Sequence, residues 1–153
     1  MPIAPGDKAP GFSLESQFGE NIELATLLEG GPVALVFFPL AFTGICTGEL
    51  CELRDNLAVF DDAGVQLVAI SVDSKATLRA FAEREGFEFT LLADFWPHGA
   101  VAREYGVFLE ERGVATRATF VIRGDGVVSG AFMTAPGEAR DLAAYREAVS
   151  ALA

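Results

Sequence analysis

Two thiols stand close together in the stretch "FFPLAFTGICTGELCELRDNL", Phe37 to Leu57, and they are the only cysteines of the chain. An apolar run, Pro32 to Phe38, leads into Pro39, then Thr43, then Cys46. Leu50, Leu53, Leu57 and Phe60 follow at helical spacing, which predicts one helix running to Gly64. Thr43 fits the position that caps this helix, and Cys46 then falls at its third residue, where a capping box usually carries Glu or Gln. A thiolate there would meet the unpaired amides of the first turn and the positive end of the helix dipole. That is how proteins make a nucleophilic sulfur available near neutral pH. The plainer alternative is a small buried apolar side chain, the usual fate of a free cysteine.

The second thiol, Cys51, lies five residues on. In a regular helix that offset is about 140° of rotation and about 7.5 Å of rise, which separates the Cα atoms by about 8.6 Å. A disulfide needs less than about 7 Å and converging Cβ vectors. The two sulfurs can therefore bond only if the start of the helix unwinds. Gly44 and Gly48 ease this, since glycine inside a helix costs about 1 kcal/mol relative to alanine. Otherwise Cys51 simply packs beside Leu50.

The elements that must position these groups alternate. "GFSLES" and "NIELATLL" read as short edge pieces around a turn at Phe18 and Gly19. Pro32–Phe38 and Val65–Asp73 read as strands buried on both faces. Ser74 caps a helix carrying Leu78, Phe81 and Ala82, and Gly86 stops it. "FTLLAD" and "ATFVI" are further strands, "GDG" at Gly124 to Gly126 turns into "VVSGAFM", and a last helix covers Glu138 to Ala153. This order predicts an α/β three-layer sandwich with a mixed central sheet, thioredoxin-like, with an N-terminal hairpin extension and one domain over residues 1–153.

Composition narrows the function classes. The chain has 153 residues, and a net charge of −11 argues against nucleic acid or an anionic membrane as partner. "MPIAPGDKAP" has neither the basic nor the apolar part of a secretory signal, and "PVALVFFPLAF" is too short to span a bilayer. The expected setting is the cytoplasm. Cys46, Cys51 and the single histidine, His98, fall one ligand short of a closed zinc site. The absence of Cys-x-x-Cys disfavours a disulfide oxidoreductase.

"PLAFTGIC" resembles the Pro-x-x-x-Thr-x-x-Cys motif of the peroxiredoxins. "APGFSL", "LADFWPHGAVAREYGV", "RATFVI" and "PGEARD" extend the similarity, the last three toward the alkyl hydroperoxidase E group of actinobacteria. The resemblance implies a thiol peroxidase acting on hydrogen peroxide, alkyl hydroperoxides and peroxynitrite, with no metal, haem or flavin. It implies that Cys46 attacks the peroxide and becomes a sulfenic acid, that Thr43 hydrogen-bonds thiolate and peroxide, and that Pro39 shields the sulfur. It implies that Arg117 stabilises the moving charge, that Glu49 orients the arginine, and that Arg140 joins the same network. Read without the resemblance, Arg117 is a solvated strand residue and Glu49 an exposed helix charge. Peroxiredoxins of the bacterioferritin-comigratory type carry a resolving cysteine at the offset of Cys51, which implies a Cys46–Cys51 disulfide reduced by a thioredoxin-like protein. The alkyl hydroperoxidase E likeness implies instead mycothiol-linked reduction with Cys51 a bystander. The likeness also places "DFWPHG", Asp94 to Gly99, at a homodimer interface rather than in an ordinary turn with its aromatics inward. A redox-sensing module using the same oxidation is the alternative to an enzyme.

Overall fold

The computed structural model describes residues 2–152. Strand β1 (Ser13–Ser16) and β2 (Asn21–Glu23) form the N-terminal hairpin, followed by helix α1 (Leu24–Glu29). Then come β3 (Val33–Phe37), α2 (Gly44–Asp55), α3 (Ala58–Asp61), β4 (Gln66–Ser71), α4 (Lys75–Glu85) and β5 (Thr90–Ala93). The chain continues through α5 (Ala100–Glu104), β6 (Phe108–Leu109), β7 (Val114–Ala115), β8 (Arg117–Ile122), β9 (Val128–Thr134) and α6 (Leu142–Ser150).

Seven strands make one mixed sheet in the order β2-β1-β5-β4-β3-β8-β9. β3, β4 and β5 are parallel, while β8 runs antiparallel to β3 and pairs with β9. The central strand β3 is buried at every position, as its unbroken apolar run requires. Its alternate residues feed two cores. Ala34 and Val36 join Leu50, Leu53, Phe60, Leu78, Phe81 and Tyr145 on the face covered by α2, α3, α4 and α6. Val33, Leu35 and Phe37 join Leu24, Val101, Ala102 and Tyr105 on the other. The result is the expected three-layer sandwich with a thioredoxin-like mixed sheet.

Local signals explain most boundaries. Ser74 accepts the Thr77 amide at 3.2 Å and starts α4, and Gly86, left-handed at φ 70°, ends it. Three expectations are corrected. The segment "LATLL" is helix α1 rather than strand. The helix after Cys46 breaks at Asn56, whose side-chain amide turns back onto the Glu52 carbonyl and leaves α3 as a separate turn. The last helix begins at Leu142 rather than Glu138, because the Glu138 amide closes a turn on Ala135 and the Arg140 amide is taken by Glu49. Its expected end, Ala153, lies outside the described residues.

Candidate functional site

The strand β3 delivers Pro39 to a loop that turns into α2. Asp73, at the end of the neighbouring strand, holds this loop by accepting the Ala41 amide at 2.8 Å, and the Ser71 hydroxyl supports Asp73 at 2.6 Å. Phe42 sits at φ 63°, a left-handed conformation that costs a bulky L-residue about 1–2 kcal/mol. Its ring rests on Phe81, with centroids 5.0 Å apart.

Thr43 is the residue that precedes α2, as expected, but its side chain caps nothing. Its hydroxyl donates to the Leu40 carbonyl at 3.0 Å. The first amides of α2 thus have no capping side chain from Thr43. They remain open to an oxygen carrying negative charge.

Cys46 is fully buried, and its sulfur receives a hydrogen bond from Nη2 of Arg117 at 3.1 Å. Arg117 opens β8 and is buried, contrary to the reading of it as a solvated strand residue. Each nitrogen of its guanidinium has a separate partner. Nε donates to the Pro136 carbonyl at 2.7 Å and Nη1 to Glu49 Oε1 at 3.1 Å. Glu49, one helical turn past Cys46, is likewise buried rather than an exposed helix charge. It also accepts from Arg140, through Nη2 to Oε1 at 2.6 Å, Nε to Oε2 at 3.1 Å and the backbone amide to Oε2 at 2.5 Å. Burial pushes the Glu49 carboxyl up. The hydrogen bonds and charge of Arg140, with the charge of Arg117, outweigh that and hold it below its ordinary value.

Two guanidinium groups on one carboxylate leave a net positive charge beneath the sulfur. That charge can stabilise negative charge as it develops beside the sulfur. Arg140 also donates to Thr119 Oγ1 at 3.1 Å, and the Tyr145 ring centroid lies 6.0 Å from its Cζ. Thr119 and Tyr145 were not foreseen from sequence; the alternation of β8 could have shown Thr119 sharing a face with Arg117. Above the site is an open pocket of about 490 Å³, lined by Pro39, Leu40, Thr43, Ile45, Val114 and Arg117 among others. Its walls are mainly apolar, and Arg117 links it to the sulfur.

Cys51 faces elsewhere. It lies on the same intact helix as Cys46, partly buried, with its thiol donating to Glu85 Oε1 at 3.4 Å. Both cysteines are free. Gly44 and Gly48 flank Cys46, and a Cβ added at either would meet no atom within 4 Å. Gly48→Ala is therefore expected to tighten α2 by about 1 kcal/mol, raising thermal stability. Any step that needs the first turns unwound should slow about fivefold, read by timed quench and intact mass after peroxide.

His98 donates from Nε2 to the Gly113 carbonyl at 2.6 Å. In "DFWPHG" the aromatics do not face the core: Trp96 is 81% and Phe95 51% exposed. Asp94 is buried and accepts the Val101 and Ala102 amides, starting α5 from a distance. Among the described residues no group of side chains is arranged to hold a metal ion, and no helix is long and apolar enough to cross a membrane.

The pattern of the AhpC/TSA family matches residues 5–131. The chain belongs to the AhpC/TSA peroxiredoxin family. Alkyl hydroperoxide reductase E of Mycobacterium tuberculosis is 47% identical over 147 residues, covering 96% of both chains. Peroxiredoxin Bcp of Escherichia coli is 38% identical over 137 residues, covering 86% of both. Among solved structures, peroxidoxin BcpB of Mycobacterium tuberculosis superposes with a TM-score of 0.86 at 34% identity, covering 98% of this chain and 96% of that one. A reduced 2-Cys peroxiredoxin of Plasmodium vivax superposes at 0.87 with 26% identity, covering 99% of this chain and 82% of that one. This peroxiredoxin is accordingly a peroxidase, and its fold is that of its relatives.

Proposed function

We propose that this chain is a single peroxiredoxin domain that reduces hydrogen peroxide, alkyl hydroperoxides and peroxynitrite through Cys46. The observation that carries this reading is the contact of Arg117 Nη2 with the Cys46 sulfur at 3.1 Å, in a pair shut away from water. The thiolate attacks the peroxide oxygen nearer to it. The O–O bond breaks and the sulfur becomes sulfenic acid; the other oxygen takes a proton and leaves as water or an alcohol, or leaves within nitrite when the substrate is peroxynitrite. Arg117 and the open amides of α2 stabilise the charge on the departing oxygen without moving. Thr43 turns its hydroxyl from Leu40 to the peroxide, and Pro39 keeps bulk water off the sulfur. Glu49 and Arg140 hold Arg117 in place.

In this reading Cys51 resolves the sulfenic acid as an intramolecular disulfide, and a thioredoxin-like protein of the cytoplasm reduces it. The glycines around Cys46 and the strain at Phe42 favour the required unwinding. The exposed Trp96 and Phe95 favour a homodimer, whose mass sedimentation would give directly. The second reading is a one-cysteine enzyme with mycothiol-linked reduction. The similarity to alkyl hydroperoxide reductase E and the seating of Cys51 on Glu85 favour it. A redox-sensing module would oxidise once and bind a partner without turning over.

One experiment separates these. After one equivalent of hydrogen peroxide, wild-type protein is expected to lose two hydrogens in intact mass, and Cys51→Ser to gain one oxygen. The wild type should then turn over with thioredoxin, and Cys51→Ser should need a small thiol. Retained oxygen in the wild type, with the same reductant preference in both proteins, would make Cys51 a bystander.

A further inference from the structure

Residues of α2 differ in how firmly they are held. From Gly44 to Gly48 only Cys46 is buried. From Glu49 onward the helix is fastened, Glu49 itself by Arg117 and Arg140. Leu50 and Leu53 are fully buried, and the Arg54 guanidinium donates to the Glu85 carbonyl at the end of α4. The Cys51 thiol donates to the Glu85 side chain at 3.4 Å. If α2 opens, the half bearing Cys46 peels away and Cys51 stays on its tether.

We propose that Glu85 is the base that takes the proton of Cys51 when the disulfide closes, a role that rests on the resolving function of Cys51 proposed above. The charged groups facing the thiol are Glu85 from α4 and Arg54 and Asp55 from α2. Arg84 approaches the other Glu85 oxygen at 3.6 Å. Burial, then the hydrogen bond to Glu85, pushes the Cys51 thiol up, so it arrives at the reaction with its proton on. A protonated thiol is a poor nucleophile and needs an acceptor within hydrogen-bond reach. Glu85 is already there. As the Cys51 sulfur attacks the sulfur of the Cys46 sulfenic acid, the S–H proton passes to the Glu85 carboxylate. The S–O bond breaks and the S–S bond forms. The hydroxide recovers the proton from Glu85 and leaves as water. Cys51 is oxidised and the Cys46 sulfur reduced, and Glu85 returns to its starting state.

The test follows the conversion of the sulfenic acid to the disulfide by acid quench and intact mass, so that the speed of the peroxide step does not enter. At neutral pH, Glu85→Gln is expected to convert about 100-fold more slowly than the wild type. Its rate should climb about tenfold per pH unit as solvent base replaces the carboxylate, while the wild type stays nearly flat across neutrality. Glu85→Asp should recover part of the rate. A Glu85→Gln protein that converts as fast as the wild type, or faster, overturns the proposal, because the carboxylate would then only suppress the thiolate. A wild type that never forms the disulfide fails at the earlier step and removes the resolving role of Cys51 itself.

Discussion

Arg117→Ala lowers the second-order rate constant for hydrogen peroxide about 100- to 1,000-fold, read by competition with a haem peroxidase. The reasoning rests on the three separate partners of one guanidinium: the Pro136 carbonyl, Glu49 and the Cys46 sulfur. Two of them fix the third. The donor therefore reaches the sulfur already oriented, and in a site closed to water each such donor is worth about 3–4 kcal/mol of transition-state stabilisation. Lysine cannot substitute, since one ammonium on a flexible stem cannot hold three partners in a plane. Arg117→Lys should lose at least about tenfold. The fold should survive both changes, because Glu49 keeps its hydrogen bonds to Arg140. A folded Arg117→Ala protein within threefold of wild type would remove this arginine from the chemistry.

The second large effect is on stability. Glu49 is buried between two buried arginines and receives four hydrogen bonds from them. Removing the shared carboxylate strands both buried arginines at once, at about 3–5 kcal/mol. That is a large fraction of the roughly 5–15 kcal/mol that holds an ordinary domain together. Glu49→Gln keeps the shape but loses the charge and turns an amide against guanidinium donors. It should lower the midpoint of urea unfolding strongly, and the peroxide rate with it, since Arg117 loses its orientation. The pH dependence has a definite sign. The folded-state carboxyl is held below its ordinary value. Its contribution is therefore complete above the unfolded carboxylate range and is lost as the pH falls through the lower folded value. The stability difference between wild type and Glu49→Gln should stay constant from neutrality down to about pH 5 and shrink below it. A difference that is absent at pH 7 would refute the buried network as a stabilising unit.

The sequence made the scaffold readable where side chains act locally. The unbroken apolar run of β3, the Ser74 hydroxyl and the left-handed Gly86 mark their elements without help from the rest of the chain. The thiol at the third position of α2 was readable for the same reason. The misses have the opposite character. α5 starts on Asp94, a capping group seven residues upstream of the first amide it accepts, and β6 and β7 are too short to carry a period. Asn56 breaks the α2 pattern through a single side-chain bond to Glu52. The position of Thr43 was legible, but the use of its hydroxyl by Leu40 was not. Burial of Arg117 and Glu49 runs against the ordinary fate of charged residues, and each is buried only because the other and Arg140 are there. No local pattern announces a partnership between residues 91 positions apart.

That separation has a consequence for how the enzyme comes into being. A ribosome releases α2 and Cys46 long before Arg117, and Arg117 well before Arg140. Until the final segment docks and its amide reaches Glu49, the arginine beneath the sulfur has no fixed bearing. A chain made or clipped short of Arg140 should thus react poorly with peroxide, and reactivity would report that the Arg140 segment has docked.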